Sequence, residues 1–309
     1  MTIKSCPVDI VIPFVDCSDP VWIEDYESRG GMMDETSING IERYRDNGTL
    51  RLLLMSIKKF MPWYNKIYLI VSHMSQVPEY AKDCCEIILH KDFIPKEFNP
   101  PVFSSNAIET WLGNLDIEEY FIYFNDDIIL TKPWDKRDCL NVPVFGEIIP
   151  SNVINIKSNC KLSKSTIENL RVNTFELITG INGTRQGVSP NHGPHVFKLS
   201  WCKECLEKYY DIFHESCNPL KRTYTDFNQY VYLFYQYIYH MNYQYSPEGL
   251  LLSGYGYNVI GPEHLQDRLT NTDMKWVCLN DSNNIDIKPW VDVVEDFLKG
   301  VDSCPQIQR

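Results

Sequence analysis

Four short apolar runs, each rich in branched residues and each closing on polar ones, decide what the first part of this chain can become. They read "DIVIPFV" (Asp9 to Val15), "KIYLIVSH" (Lys66 to His73), "CEIILH" (Cys85 to His90) and "YFIYFNDDIIL" (Tyr120 to Leu130). Apolar runs of this length without polar alternation are strands buried on both faces. Between the first two, Leu50, Leu53, Leu54 and Ile57 recur at i, i+3, i+4 and i+7, one face of a helix that "MPW" ends. Ahead of the fourth, Ile108, Trp111, Leu112 and Leu115 repeat that spacing, and Asn106 with Glu109 has the form of a capping box.

Strand, helix, strand, strand, helix, strand is an α/β order, so the expected fold is a largely parallel, Rossmann-like or GT-A-like sheet flanked by helices. Beyond Trp134 the pattern loosens. "GEIIPSNVINI" reads as a strand or two, and "STIENLRVNTFELITGI" as a helix opened by Ser165 with Glu168 in the capping-box position. "WCKECLEKYYDIFHES" and "TDFNQYVYLFYQYIYHMNY" read as further helices, which makes the second half the more helical. With no repeat and no low-complexity linker, residues 1–309 are expected to form a single unit, an α/β core over 1–135 completed by a mixed, mainly helical part over 136–309.

A formal net charge of −12 excludes a nucleic-acid binder, whose phosphates need a basic face. It leaves room for a small anionic substrate if a metal ion or local Arg residues supply the field. Eleven cysteines without a repeating framework suit a reducing compartment. Cys202 and Cys205 are read as helix-surface thiols, because no second pair completes a zinc site. No apolar run is long enough to span a membrane and no signal core precedes Asp9, so a soluble, cytoplasmic chain is expected.

An adjacent acidic pair at the end of a buried strand is costly unless both carboxylates are hydrogen-bonded, exposed or neutralised by a cation. Asn125, Asp126 and Asp127 form such an end, as do Asp16 and Asp19 in "VDCSDP". Two carboxylate loops at one sheet edge suit metal-assisted transfer, and a hard divalent ion held by carboxylates and substrate phosphate oxygens meets the need. The bland alternative is a pair of solvated turns. Arg43, Arg45 and Arg51 surround the Asn47-Gly48 turn, and Arg51 stands in a helix's first turn, where a bound anion or an ion pair with Asp46 relieves it. His192 and His195 in "SPNHGPHVFK" are candidate acid–base groups, and "KWVCLNDS" closes on Asn280-Asp281.

Together "DIVIPFVDCSDP", "RYRDNGTLRLLLMSIKKFMPWYNKIYLIV", "FSSNAIETWLGNLDIEEYFIYFNDDIIL", "NHGPHVFK" and "KWVCLNDS" resemble, in order, the conserved blocks of the Stealth family of sugar-1-phosphate transferases, which includes bacterial capsule polymerases. The resemblance implies catalytic roles for His192, Asp16, Arg51 and Asp127. The resemblance places Arg45, Asp46 and Asn47 in the donor site, Asn125 in the active centre and Asn280 in the last block. Substrate contacts are expected from these and from Asp19, Arg43, Asn106 and Arg222, and metal ligation by Asp126, Asp127 and Asp281, with Mg²⁺ or Mn²⁺ as the ion. Two departures stand out: Cys17 replaces the family's glycine, and Ser104 and Asn106 stand where Asn and His are usual. Asn106 donates hydrogen bonds but relays no proton at neutral pH.

The implied reaction moves a sugar-1-phosphate from a nucleotide sugar, UDP-linked, to a hydroxyl of an oligosaccharide or polysaccharide, with release of UMP. His192 is the expected base and Asp16 its competitor. A bacterial capsule or surface glycan is the expected product, made in the cytoplasm at the inner face of the membrane or free of it. A metal-dependent glycosyltransferase releasing UDP, and a non-catalytic glycan-binding or surface-masking protein, are the rival readings.

Overall fold

The computed structural model describes residues 6–32, 38–136, 166–180, 192–240, 249–254 and 256–301. Its strands are β1 (Val8–Pro13), β2 (Ile67–Val71), β3 (Glu86–Leu89), β4 (Tyr120–Tyr123), β5 (Ile128–Leu130), β6 (His195–Lys198), β7 (Gly249–Leu252) and β8 (Trp276–Leu279). The helices are α1 (Pro20–Ser28), α2 (Thr49–Phe60), α3 (Ser105–Thr110), α4 (Thr166–Thr179), α5 (Leu199–Ser216), α6 (Tyr230–His240), α7 (Gly256–Val259), α8 (Pro262–Asn271) and α9 (Lys288–Gly300). The expected strands "GEIIPSNVINI" and the cap at Ser165 lie outside the described residues.

Five strands form the main sheet in the order β3-β2-β1-β4-β6. β1 through β4 run parallel and β6 antiparallel, with Tyr123 opposite His195. The mostly parallel sheet with helices on its faces is the expected fold class. Alternate residues of each strand enter different cores: Ile10, Ile12, Ile122 and Phe124 pack with α2, while Val11, Phe121 and Tyr123 pack with Trp111 and α6. Burial on both faces is why these strands read as continuous apolar runs.

The fourth run is two strands rather than one. After β4 the chain leaves the main sheet at Asn125–Asp127 and enters a second sheet, β5-β8-β7, as β5. β5 lies antiparallel to β8, and the Leu279 amide donates to the Asp127 carbonyl at 2.9 Å. Polar residues interrupt an apolar run here because they sit where the backbone changes sheets. Strands from both sides of residue 135 share each sheet: β4 pairs with β6, and β5 with β8.

Other expectations are corrected. α3 starts at Ser105, so Asn106 and Glu109 are buried helix residues rather than a capping box, and Trp111 already ends the helix. The apolar stripe runs on through a single turn at Leu112–Asn114. Cys202 and Cys205 are buried beneath α6, not surface thiols, because their face of α5 packs on the aromatic core. Tyr230, Tyr232 and Tyr235 of the aromatic run are likewise buried packing residues. Among the described residues no helix is long and apolar enough to cross a membrane.

Candidate active site

In sheets of this topology ligands bind outside the carboxyl ends of the strands, where successive connections leave in opposite directions. Here that point lies between β1 and β4. A cavity of about 490 Å³ opens there, within the usual range for small-molecule sites. Its walls come from the end of β1 (Phe14, Val15), the Arg43–Asn47 loop, α3, the Asn125–Asp127 crossing, His192, the Arg222 loop and Asn280–Asp281.

Each acidic group has its own environment. Asp126 is driven well above the usual carboxylate range, first by burial and then by the neighbouring charges of Asp127 and Asp46. Asp127 Oδ1 is buried without a hydrogen-bond partner. Asp127, His192 and Cys278 bring a carboxylate oxygen, a ring nitrogen and a thiol sulfur within 4.8 Å of one another. An orphaned carboxylate oxygen beside a buried, charge-averse partner is what a divalent cation relieves, so Asp126 and Asp127 fit the expected metal. Asp281 fits it less well, because both its oxygens already accept from Arg45, Nε at 2.8 Å and Nη2 at 3.0 Å.

Cations face these acids. Burial and the nearby Arg222 guanidinium push the Arg43 pKa down, a repulsion that a bound dianion would reverse. Asn47, Asn106, Asn125 and Asn280 also line the cavity. Asn125 Nδ2 is 3.5 Å from His192 Nε2. Asn106 Nδ2 donates to Asp226 Oδ2 at 3.0 Å, so the side chain in the family's histidine position is an anchor for a buried acid.

Four of the expected residues lie off the cavity wall. Asp19 caps α1 through the Val21 amide and accepts from Ser75 and Gln76, which hold its pKa down against burial. Asp16 accepts from the Ser18 amide and hydroxyl, bracing its own turn. Asp46 Oδ1 accepts from the Gly48 amide, in a turn where Gly48 takes φ 80° ahead of α2. Arg51 pairs through both guanidinium nitrogens with Glu295 of α9, at 3.1 and 2.6 Å, rather than with Asp46 or an anion. α9 packs on α2 at that point, and no local spacing announces so distant a partner.

Two residues at the site were not anticipated, Glu109 on the cavity wall and Cys278 buried beside Asp127 and His192. Glu109 was read as a cap; buried, it accepts from the Tyr123 hydroxyl at 3.0 Å, and burial raises its pKa while Arg222 opposes the rise. Its place one helical turn from Asn106 was the available signal. Cys278, in the quoted "CLND", is pushed well above the usual thiol range by burial and by Asp127.

His195, the second histidine of its loop, is buried on β6 with Nδ1 2.8 Å from Gln229 Oε1, away from acid–base work.

Fold and site together define an α/β protein with an acidic, arginine-flanked pocket at the sheet's switch point. Residues 43–143 match the model of Stealth protein CR2, conserved region 2, and the Stealth resemblance is thereby borne out. The receptor polysaccharide phosphotransferase WefC of Streptococcus oralis is 34% identical over 137 residues, 42% of this chain and 40% of that protein. The capsular polysaccharide phosphotransferase WcwK of Streptococcus pneumoniae is 24% identical over 94% of this chain and 93% of its own length. The matches to the first curated relatives span less than half of those proteins' length. Among solved structures, the galactosyltransferase LgtC, crystallised with donor and acceptor sugar analogues, aligns over 96% of this chain and 98% of its own at 9% identity, with a TM-score of 0.42.

Proposed function

We propose that the chain transfers a sugar-1-phosphate from a nucleotide sugar to a glycan hydroxyl, forming a phosphodiester and releasing a nucleoside monophosphate. The convergence of Asp126, Asp127, Arg43, Arg222 and His192 on one cavity at the β1–β4 switch point carries this reading. The phosphotransferase names of the relatives support it over transfer at the anomeric carbon.

Phosphoryl transfer asks a protein mainly for positioning and charge neutralisation. Arg43 and Arg222 hold the diphosphate between them. Asp126 and Asp127 hold a divalent ion, Mg²⁺ or Mn²⁺, which when bound offsets the charge of the phosphates. His192, oriented beside Asn125, takes the proton of the acceptor hydroxyl as its oxygen attacks the sugar-proximal phosphorus. The bond from that phosphorus to the bridging oxygen breaks, and the nucleoside monophosphate leaves with the electron pair. Asp16 is the weaker base candidate because its carboxylate braces its own turn.

The test is ³¹P NMR of a reaction containing UDP-sugars, Mg²⁺ and glycan acceptors. UMP with a new phosphodiester resonance is the expected result; UDP would assign the same pocket to a glycosyltransferase.

A further inference from the structure

One polar group in the cavity wall has no place in that chemistry. His90 stands at the carboxyl end of β3, beside Ser72 at the end of β2. Both line the cavity on the β2–β3 side of β1, whereas the acids and His192 line it on the β4 side. His90 is 3% exposed.

The ring's tautomer follows from its one hydrogen bond. The Val102 amide donates to Nδ1 at 3.3 Å, so Nδ1 is the acceptor and Nε2 carries the proton. Burial lowers the His90 pKa to about 3, in keeping with a neutral ring. Nε2–H is buried and has no partner. A buried donor left unpaired costs about 1–3 kcal/mol, and such groups in native proteins call for an explanation.

We propose that His90 is the nucleobase reader of the donor site, its Nε2–H donating to the C4 carbonyl of uracil, the position that carries an amino group in cytosine. This rests on the nucleotide-sugar reading above. With the diphosphate between Arg43 and Arg222, the nucleoside extends away from the transferred sugar, toward the ends of β2 and β3. A fixed N–H donor accepts a carbonyl at that position and rejects an exocyclic amino group, which presents a donor to a donor. Phe103 and Val102 supply the apolar wall that a flat base needs. Nε2 is buried in this structure, so reading a base requires the wall around it to open.

The experiment is calorimetric titration of the metal-supplemented protein with UMP, CMP and ribose 5-phosphate, repeated on His90→Phe and His90→Gln. Wild type is expected to favour UMP over CMP by about tenfold or more, the value of one hydrogen bond gained against one left unmade. His90→Phe is expected to lose that preference while binding ribose 5-phosphate as before; His90→Gln, which keeps an N–H and an acceptor, retains part of it. A UMP-to-CMP ratio unchanged in His90→Phe overturns the assignment and leaves the donor site standing. Wild type that binds none of the three overturns both. If His90→Phe does not fold, the ¹⁵N-detected His90 Nε2–H resonance of wild type decides: a shift with UMP larger than with CMP supports the proposal, and an unmoved resonance refutes it.

Discussion

Arg45 closes both carboxylate oxygens of Asp281 in a fork, 2.8 and 3.0 Å, between residues 236 positions apart. The pair joins the loop ahead of α2 to the end of β8, the second sheet's central strand, and both residues line the cavity. Arg45→Lys keeps the charge and loses the fork, because an ammonium is a point donor. With the Arg45 side chain 36% exposed, the stability loss is expected to be about 1 kcal/mol or less. Donor KM should rise about tenfold with kcat less affected, measured by steady-state kinetics. An unchanged KM would mean that the pair does not shape the donor site.

Metal binding has a reporter other than turnover. A ligand present at a hundred times its Kd stabilises the folded state by about 2.7 kcal/mol. Mn²⁺ or Mg²⁺ is therefore expected to raise the wild-type melting temperature by several degrees, read by differential scanning calorimetry. Asp127→Asn should abolish the rise. Asp281→Asn, whose native carboxylate is already occupied by Arg45, should preserve most of it. Equal losses in the two variants would return Asp281 to the ligand set.

Much of this was legible in the sequence because the strands are covered on both faces and so read as apolar runs. β1, β2 and β3 fall where "DIVIPFV", "KIYLIVSH" and "CEIILH" place them, and α2 fills its spacing of Leu50, Leu53, Leu54 and Ile57. The second sheet was hidden. β5, β7 and β8 have three or four residues each, too few for a period, and the sheet depends on the pairing of β5 with β8 across more than a hundred residues. The same distance hid Glu295 from Arg51 and Asp281 from Arg45. Glu109 was misread because a capping box and a buried i, i+3 pair share one spacing.

Glu295 offers a pH test outside the cavity. Arg51 first, then Lys299, lower its pKa from 4.5 to about 2. A depressed carboxylate stabilises the fold above its unfolded pKa, and that contribution disappears as pH falls through the folded value. Glu295→Gln should thus melt below wild type at pH 7, by the few tenths to about 1 kcal/mol typical of partly exposed pairs. The gap should close between about pH 4.5 and pH 2. A gap that persists at pH 2 would assign the loss to packing of α9 on α2.

Gly193 and Gly249 lie against the Trp276 indole, and a Cβ on Gly193 would come within 2.8 Å of Cε2 and Cζ2. The ring is fully buried and begins the strand that carries Cys278, so it has little room to retreat. Gly193→Ala must therefore move the loop that carries His192, the adjacent residue. Overpacking of this kind costs about 1–3 kcal/mol. The expected outcome is a lower melting temperature together with a kcat reduced about tenfold or more and a nearly unchanged donor Kd, since Arg43 and Arg222 are untouched. Stopped-flow turnover and calorimetric UMP binding separate the two effects. A variant that loses stability but keeps wild-type kcat would show that His192 tolerates displacement, and with it that the proton of the acceptor hydroxyl goes elsewhere.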